Sequence, residues 1–267
     1  KLFARGGEDM EGFKPAERPA YVREGVDTYR VPVAGSEEED PLHLAPSLIA
    51  KIRDTPGQEL ACHTFAHYYC DEAGQDVGAF RADLQAAQRI AGRDGVELRS
   101  LVFPRNQVLP KYLAVLEEAG LNVYRGNPAG AMYRLPAGNP LLKHGIRLVR
   151  LADSFINITG HHTIPWSDVN QGTLANVCAS QFLRPYSRRL RVLESLRRHR
   201  IKAGLLVAAR KGEIFHLWWH PHNFGINKEQ NLSALENILD EFERLRQEYG
   251  MRSMTMAEAA DAVRDNP

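Results

Sequence analysis

The sequence predicts an α/β protein with a parallel, barrel-like sheet, and two features of the chain support this prediction. Short apolar segments alternate with longer segments whose apolar residues recur at helical spacing. The candidate reactive residues His63, Arg105 and His220 each follow one of the short apolar segments. Functional groups in parallel α/β sheets collect at the carboxyl ends of strands, so both features favour the same fold class.

The individual elements follow from hydrophobic spacing and from glycine or proline at their ends. The predicted helices are Leu48–Arg53, a helix from near Asp76 to Ala91, Lys111–Ala119, Arg188–Ile201, Asn231–Tyr249 and a last helix that starts with the capping box Thr255–Glu258. The predicted strands are Glu59–His63, Leu98–Phe103, Leu121–Tyr124, Gly204–Ala209 and Ile214–Trp219. The turn-rich segment Gly126–Gly145 is predicted to be a long loop or an insertion.

The length of the chain allows one large α/β domain or two small ones, and since no composition break marks a boundary we expect a single domain spanning residues 1–267. Of the 267 residues, 43% are hydrophobic and 25% are charged, as in ordinary globular proteins. The net charge of +1 gives no basis for expecting nucleic acid as a partner, and no apolar run approaches the roughly 18 residues that a membrane span needs. The 3 cysteines are irregularly spaced and form no disulfide framework, which favours a reducing cytoplasm.

The pair His63 and His67 is the strongest sign of chemistry in the chain. A spacing of four residues returns to the same face of a helix or a strand, so both imidazoles can converge on one point. Two neutral imidazoles at a strand end suit a borderline-soft divalent cation such as zinc. For an isolated pair, the alternative is that one ring caps a loop and the other packs in the core.

A second histidine cluster downstream favours the functional interpretation of this pair. In an extended strand His216, Trp218 and His220 lie on one face. His216 lies deeper in the strand and is interpreted as a core histidine, whereas His222, in the following loop, either lines a groove or is solvated. Trp218 either packs in the core or forms a wall of the site, where its indole face suits a sugar ring.

Several segments resemble, in the correct order, the motifs of the polysaccharide deacetylase (NodB-homology) family. They are Glu59–His67, Phe103–Gln107 and Phe215–Pro221, joined by Ala179–Pro185 and Thr255–Met256, which resemble the intracellular bacterial branch linked to O-antigen biosynthesis. The resemblance extends from about Lys1 to Asp261. It implies a distorted (β/α) barrel with one divalent metal, expected to be zinc. The implied activity is removal of an N-acetyl or other N-acyl group from an amino sugar or oligosaccharide, free or linked to a nucleotide or lipid.

The resemblance also implies a role for individual residues. His63 and His67 correspond to metal ligands, and His220 corresponds to the general acid that protonates the leaving amine. Arg105 is expected to orient the catalytic carboxylate through a bidentate pair. The alternative is that Arg105 is a surface arginine that follows a strand. Asn106 either donates to the substrate or caps a turn. The expected substrate contacts are Asn106, Trp218, Arg184 and His222.

The chain departs from the family pattern in two places. The pair of acidic residues that forms the first motif is not found, which leads us to expect that the first strand precedes Lys1; the alternative is a catalytically inactive, sugar-binding relative. In the third motif Pro104 precedes Arg105, the reverse of the usual order. The alternative metal site is a closed structural zinc, in which Cys62 and Cys70 join His63 and His67 as ligands.

A basic run lies between Ser187 and Lys202, with seven Lys or Arg residues against the single acid Glu194. Such a run is expected to be a solvated helix face. If it is functional, it would attract an anionic carrier such as a nucleotide diphosphate or a lipid diphosphate. Arg184 is the better single candidate for contact with a substrate.

Overall fold

The computed structural model describes residues 1–128, 130, 132 and 140–265. The helices are α1 (Gly7–Phe13), α2 (Pro46–Arg53), α3 (Val77–Arg93), α4 (Pro110–Glu118), α5 (Pro140–Asp153), α6 (Trp166–Val169), α7 (Glu194–Lys211), α8 (Pro221–Phe224), α9 (Lys228–Tyr249) and α10 (Met256–Asp265). The strands are β1 (Ser100–Leu101), β2 (Val123–Tyr124), β3 (Asn170–Gln171), β4 (Leu174–Asn176), β5 (Gln181–Phe182) and β6 (Leu217–Trp218). Short 3₁₀ helices cover Thr28–Arg30, Pro104–Asn106 and Arg188–Leu193. The α/β class is thereby confirmed.

Residue contacts divide the chain into two compact units. The first unit comprises Lys1–Gly126, Asn170–Asn176 and Met254–Pro267, and the second comprises Asn127–Val169 and Val177–Ser253. Among the helices described, none is both long enough and apolar enough to cross a bilayer. That residues 1–267 form a single domain stays a prediction.

The first unit is built on a four-stranded sheet of order β1-β2-β4-β3. The pairs β1–β2 and β2–β4 are parallel, and β3 joins β4 in an antiparallel pair. Cys62 extends the parallel set by one bridge, since its N–H donates to Ser100 (2.7 Å) and its carbonyl accepts from Val102 (2.9 Å). The bridge at Cys62 and strands β1, β2 and β4 therefore share one carboxyl edge; the sequence analysis predicted all of these strands except β4.

Helix α3 shows how the helix predictions succeed in this unit. Asp76 caps its amino end by accepting a hydrogen bond from Ala79 N–H at 2.8 Å, and the apolar stripe that includes Phe80 and Leu84 is buried. The capping box of α10 is confirmed as well: Glu258 accepts from Thr255 N–H (2.7 Å) while Thr255 accepts from Glu258 N–H (3.1 Å).

One predicted strand in the second unit is wrong. Gly204–Ala209, predicted to be a strand, lies inside α7, which continues to Lys211 and ends at left-handed Gly212 (φ 65°). A six-residue apolar run carries no helical period of its own, so its glycine looked like a strand boundary. Gly204 is instead a contact residue, because a Cβ at this position would lie 2.4 Å from the ring of Phe215.

Replacing Gly204 with alanine is expected to destabilise the second unit by about 1–3 kcal/mol, because the new methyl group overlaps the Phe215 ring. The matched control is Gly145→Ala on α5, where nothing lies within 4 Å of the added Cβ and helix propensity predicts a gain of about 0.5–1 kcal/mol. Urea unfolding of both variants measures the two effects. An equal change in the free energy of unfolding in both variants would contradict the packing role of Gly204.

Two further expectations need correction. The predicted strand Glu59–His63 is reduced to the bridge at Cys62, and only Cys62 within it is buried, because the chain turns away into a loop directly after this residue. The predicted loop Gly126–Gly145 is wrong over its last residues, where α5 begins at Pro140. Residues 129, 131 and 133–139 of that prediction lie outside the described residues.

Candidate metal site and neighbouring clusters

The loop that follows Cys62 holds its backbone in unusual conformations. Thr64 (φ 63°) and His67 (φ 54°) both adopt left-handed geometry, which costs a non-glycine residue about 1–2 kcal/mol. Two more such residues, Arg105 (φ 54°) and Asn106 (φ 56°), follow β1 at the same carboxyl edge. Strain concentrated at one edge of a parallel sheet is typical of a functional site, where the surrounding structure holds side chains in a fixed arrangement.

The loop brings His63 and His67 together. Their ring centroids are 4.9 Å apart with an interplanar angle of 75°. Two imidazoles bound to one tetrahedral zinc, with zinc–nitrogen bonds of about 2.0–2.1 Å, have centroids about 5 Å apart. The two rings therefore lie close enough to share one zinc ion, and the prediction that their nitrogens aim at a common point stays a prediction.

The tautomer of His63 follows from its main-chain neighbour. Its Nδ1 lies 2.7 Å from the carbonyl oxygen of Val102, and a carbonyl can only accept, so Nδ1 carries the proton. The unprotonated nitrogen is therefore Nε2, which is the nitrogen that can bind a metal. This carbonyl contact is the kind of second contact that commonly orients a histidine ligand.

Asp83 on α3 holds the loop that carries His63 and His67, which we name the histidine loop. The sequence analysis did not identify Asp83. Its carboxylate is fully buried and accepts from the N–H groups of Phe65 (2.7 Å) and Ala66 (3.2 Å), and it also accepts from the hydroxyl of Tyr29. Burial nevertheless raises the pKa of Asp83 to about 6. The sequence feature that could have identified Asp83 as a buried residue is its position three residues after Phe80, within the apolar stripe of α3.

We expect Asp83 to make the stability of the first unit depend on pH. The folded-state pKa is about 6 and the ordinary value is 3.8, so between these values the folded chain holds a proton that the unfolded chain has lost. Stability should therefore fall as pH rises from about 4 to about 6, by about 2–3 kcal/mol.

Urea unfolding of the wild type and Asp83→Asn over this pH range measures the effect. In Asp83→Asn the free energy of unfolding should not show this fall between about pH 4 and pH 6. Asp54→Asn, which changes an exposed carboxyl of the same unit, should show the same fall as the wild type. Identical pH profiles for the wild type and Asp83→Asn would contradict the assignment.

Arg105 lies in the loop after β1 and contacts the histidine loop. Its guanidinium carbon is 4.2 Å from the ring centroid of Tyr69, and that ring is in turn 5.0 Å from the ring of His67. Arg105 also forms an ion pair with Glu72 at 3.3 Å. Tyr69 and Glu72 are thus site residues that the sequence analysis did not identify, and the predicted role of Arg105 in orienting a carboxylate stays a prediction.

Arg125, at the end of β2, is a further residue that the sequence analysis missed. Its guanidinium donates to Oδ1 of Asn106 at 2.7 Å, which holds the left-handed Asn106 in place. Burial lowers the pKa of Arg125 to about 10. The rule that selected His63, Arg105 and His220, a polar residue directly after a strand, would also have selected Arg125.

Cys62 and Cys70 belong to the hydrophobic core of the first unit. Burial raises the pKa of each thiol to about 12, so both stay protonated near neutral pH. Among the described residues, Cys62 and Cys70 do not join His63 and His67 in any group of three or more potential metal ligands, which disfavours the closed structural-zinc alternative.

In the second unit, four predicted site residues gather around Phe182. The parallel pair β5–β6 places the Phe182 ring 4.5 Å from Trp218 and 5.7 Å from His220. His222 stacks on His220 at 5.2 Å, and the guanidinium carbon of Arg184 lies 5.9 Å from the Phe182 ring. We name Phe182, Trp218, His220 and His222 the aromatic cluster. His220 and His222 are exposed, and Phe182 is its member that sequence reasoning overlooked.

The basic run is only partly a solvated face, which corrects the expectation. Arg197 is 2% exposed, pairs with Glu194 through Nε at 3.0 Å, and also donates to the carbonyl of Arg184. Arg200 is 3% exposed and donates to the carbonyl of Asp153 at 3.1 Å. These two arginines stabilise the second unit, so only the remaining basic residues of the run are available to a ligand.

Comparison with protein-family models, with characterised proteins and with solved structures gives no match to this chain. The resemblance to polysaccharide deacetylases therefore stays a prediction. Within the described ranges, His, Cys, Asp and Glu side chains form no group of three or more that could hold a metal. The described candidate residues are therefore the His63–His67 pair and its neighbours in the first unit, and the aromatic cluster in the second unit.

Proposed function

We propose that this protein is a metal-dependent carbohydrate N-deacetylase, a hydrolase that removes an N-acetyl or other N-acyl group from an amino sugar in bacterial surface-polysaccharide (O-antigen) biosynthesis. The observation that carries the proposal is the His63–His67 pair, with centroids 4.9 Å apart and the His63 tautomer set by Val102. A cytoplasmic location and a distorted (β/α) barrel belong to the same proposal.

The residues present fit a divalent ion, with zinc as the expected metal. His63 offers Nε2, and the centroid spacing of the two rings suits tetrahedral geometry. Zinc sites in enzymes have three protein ligands, so a third ligand beside His63 and His67 would complete this one. A bound ion would supply Lewis-acid activation of water and of the acyl oxygen.

The chain's own residues would do the remaining work. His220 would donate a proton to the leaving nitrogen, since an amine departs poorly as an anion. Trp218 offers an indole face to the sugar ring, and Arg184, beside Phe182, offers a cation to an anionic carrier. Arg105 and Asn106 would contact the substrate or the catalytic carboxylate from the loop after β1.

Acetate release by the full-length protein tests this function. The substrates to compare are an N-acetylhexosamine linked to a nucleoside diphosphate, the same sugar in an oligosaccharide, and the free sugar. The proposal predicts release from at least one of them that stops with a chelator and returns with zinc. Sugar binding without any release would instead support the alternative, a catalytically inactive sugar-binding relative.

A further inference from the structure

The second unit contains a cavity of about 600 Å³ between the start of α7 and the start of α9. Residues that line it are Tyr186, Arg191, Ser195, Arg198, Glu229 and Ser233. We name it the α7–α9 cavity. Its volume falls within the range of about 300–1,000 Å³ that is usual for small-molecule sites.

Two guanidinium groups give the cavity its chemistry. Arg191 and Arg198 both line it, and within the part of the chain that the structure describes neither side chain forms an ion pair or a hydrogen bond. Glu194 also lines the cavity, but its carboxylate is paired with the buried Arg197. The two arginines thus face the cavity against one remaining carboxylate, that of Glu229.

The polar groups around these arginines suit a phosphate ester. A guanidinium binds two phosphate oxygens through parallel hydrogen bonds, and two guanidiniums match a ligand with two linked phosphates. The hydroxyls of Ser195, Ser233 and Tyr186 can donate further hydrogen bonds. The cavity also lies at the amino-terminal turns of two long helices, whose dipoles favour an anion.

We infer that the α7–α9 cavity binds a diphosphate ester. As the carrier subsite of a deacetylase it rests on the proposed function, whereas as a diphosphate-binding site it stands alone. The shared chemistry is the diphosphate, which a nucleotide-linked sugar and a lipid-linked sugar both carry.

Binding to the full-length protein tests the inference without any turnover. Calorimetric titration uses uridine diphosphate, inorganic pyrophosphate and, as the phosphate-free control, uridine. A flotation assay uses phosphatidylcholine vesicles with and without a polyprenyl diphosphate. We expect uridine diphosphate to bind and uridine not to bind if the carrier is a nucleotide, and binding of the diphosphate vesicles with weak nucleotide binding if the carrier is a lipid.

Variants locate the binding in the cavity. Arg191→Gln with Arg198→Gln should weaken diphosphate binding at least about tenfold, since charge-assisted hydrogen bonds are lost. Arg188→Gln with Arg189→Gln removes two charges from the same basic run outside the cavity lining and should leave binding within about twofold. Glu229→Gln should tighten binding, because it removes a negative charge from the lining, and Ser233→Trp should block binding while every charge is kept.

Two results would overturn the inference. One is that uridine diphosphate, pyrophosphate and the diphosphate vesicles all fail to bind. The other is that both double variants lose affinity equally, which would indicate diffuse attraction by the basic run. Because none of these readouts requires hydrolysis, a protein that binds diphosphate but releases no acetate would retain this site and lose the proposed function.

Discussion

Replacing His63 with alanine is expected to remove both divalent-metal binding and acetate release from the full-length protein. The pair with His67 supplies two ligands from one loop, and loss of either imidazole leaves too few donors for a zinc site. Metal content by atomic absorption and acetate release by a coupled assay measure the two losses. This is the largest effect that we expect from any single substitution.

The matched control is His199→Ala, which removes an exposed histidine on α7 that lies outside both candidate sites. It should retain the metal and the activity of the wild type. Retention of the metal by His63→Ala at wild-type content would show that the pair is structural, as in the alternative where one ring caps a loop.

Replacing His220 with alanine should lower turnover by roughly 10²–10⁴-fold, the usual range for a lost proton-transfer group, and should leave metal content unchanged. His220 is exposed in the aromatic cluster, and its ring centroid lies 5.4 Å from that of Trp218. An exposed ring at this position is accessible to a substrate. Added imidazole should restore part of the lost rate, which a merely structural role would not produce. That His220 flanks the same cavity as His63 and His67 stays a prediction.

His222→Ala is the comparison for this variant, because the two rings stack and share the aromatic cluster. We expect it to alter substrate affinity more than turnover. If His220→Ala also removed the metal, His220 would be a ligand; if it left turnover intact, His222 or His216 would become the candidate acid.

The sequence was most informative where one physical rule decided the structure. α3 and α9 were predicted because their apolar residues recur with a helical period, and α10 because its capping box is explicit. The prediction failed at Gly204–Ala209, where a uniformly apolar run has no period and the deciding contact is between Gly204 and Phe215. Such a contact joins residues through tertiary packing, so local spacing could not show it.

The candidate site shows the same division. Placement after a strand was enough to select His63 and Arg105, and four-residue spacing was enough to pair His63 with His67. Asp83 and Tyr69 were missed because their importance comes from contacts across the fold, to loop N–H groups and to the Arg105 guanidinium. Counting charges in the basic run likewise could not separate buried arginines from those that line the α7–α9 cavity.

X-ray absorption spectroscopy at the zinc edge of the zinc-loaded full-length protein tests the central claim most directly, because it counts the atoms bound to the metal. We predict two imidazole ligands with zinc–nitrogen distances of about 2.0–2.1 Å in the wild type, and loss of the zinc signal itself in His63→Ala and in His67→Ala. A sulfur shell at about 2.3 Å, which would assign the metal to Cys62 or Cys70, would contradict the account. So would a spectrum that neither histidine substitution changes.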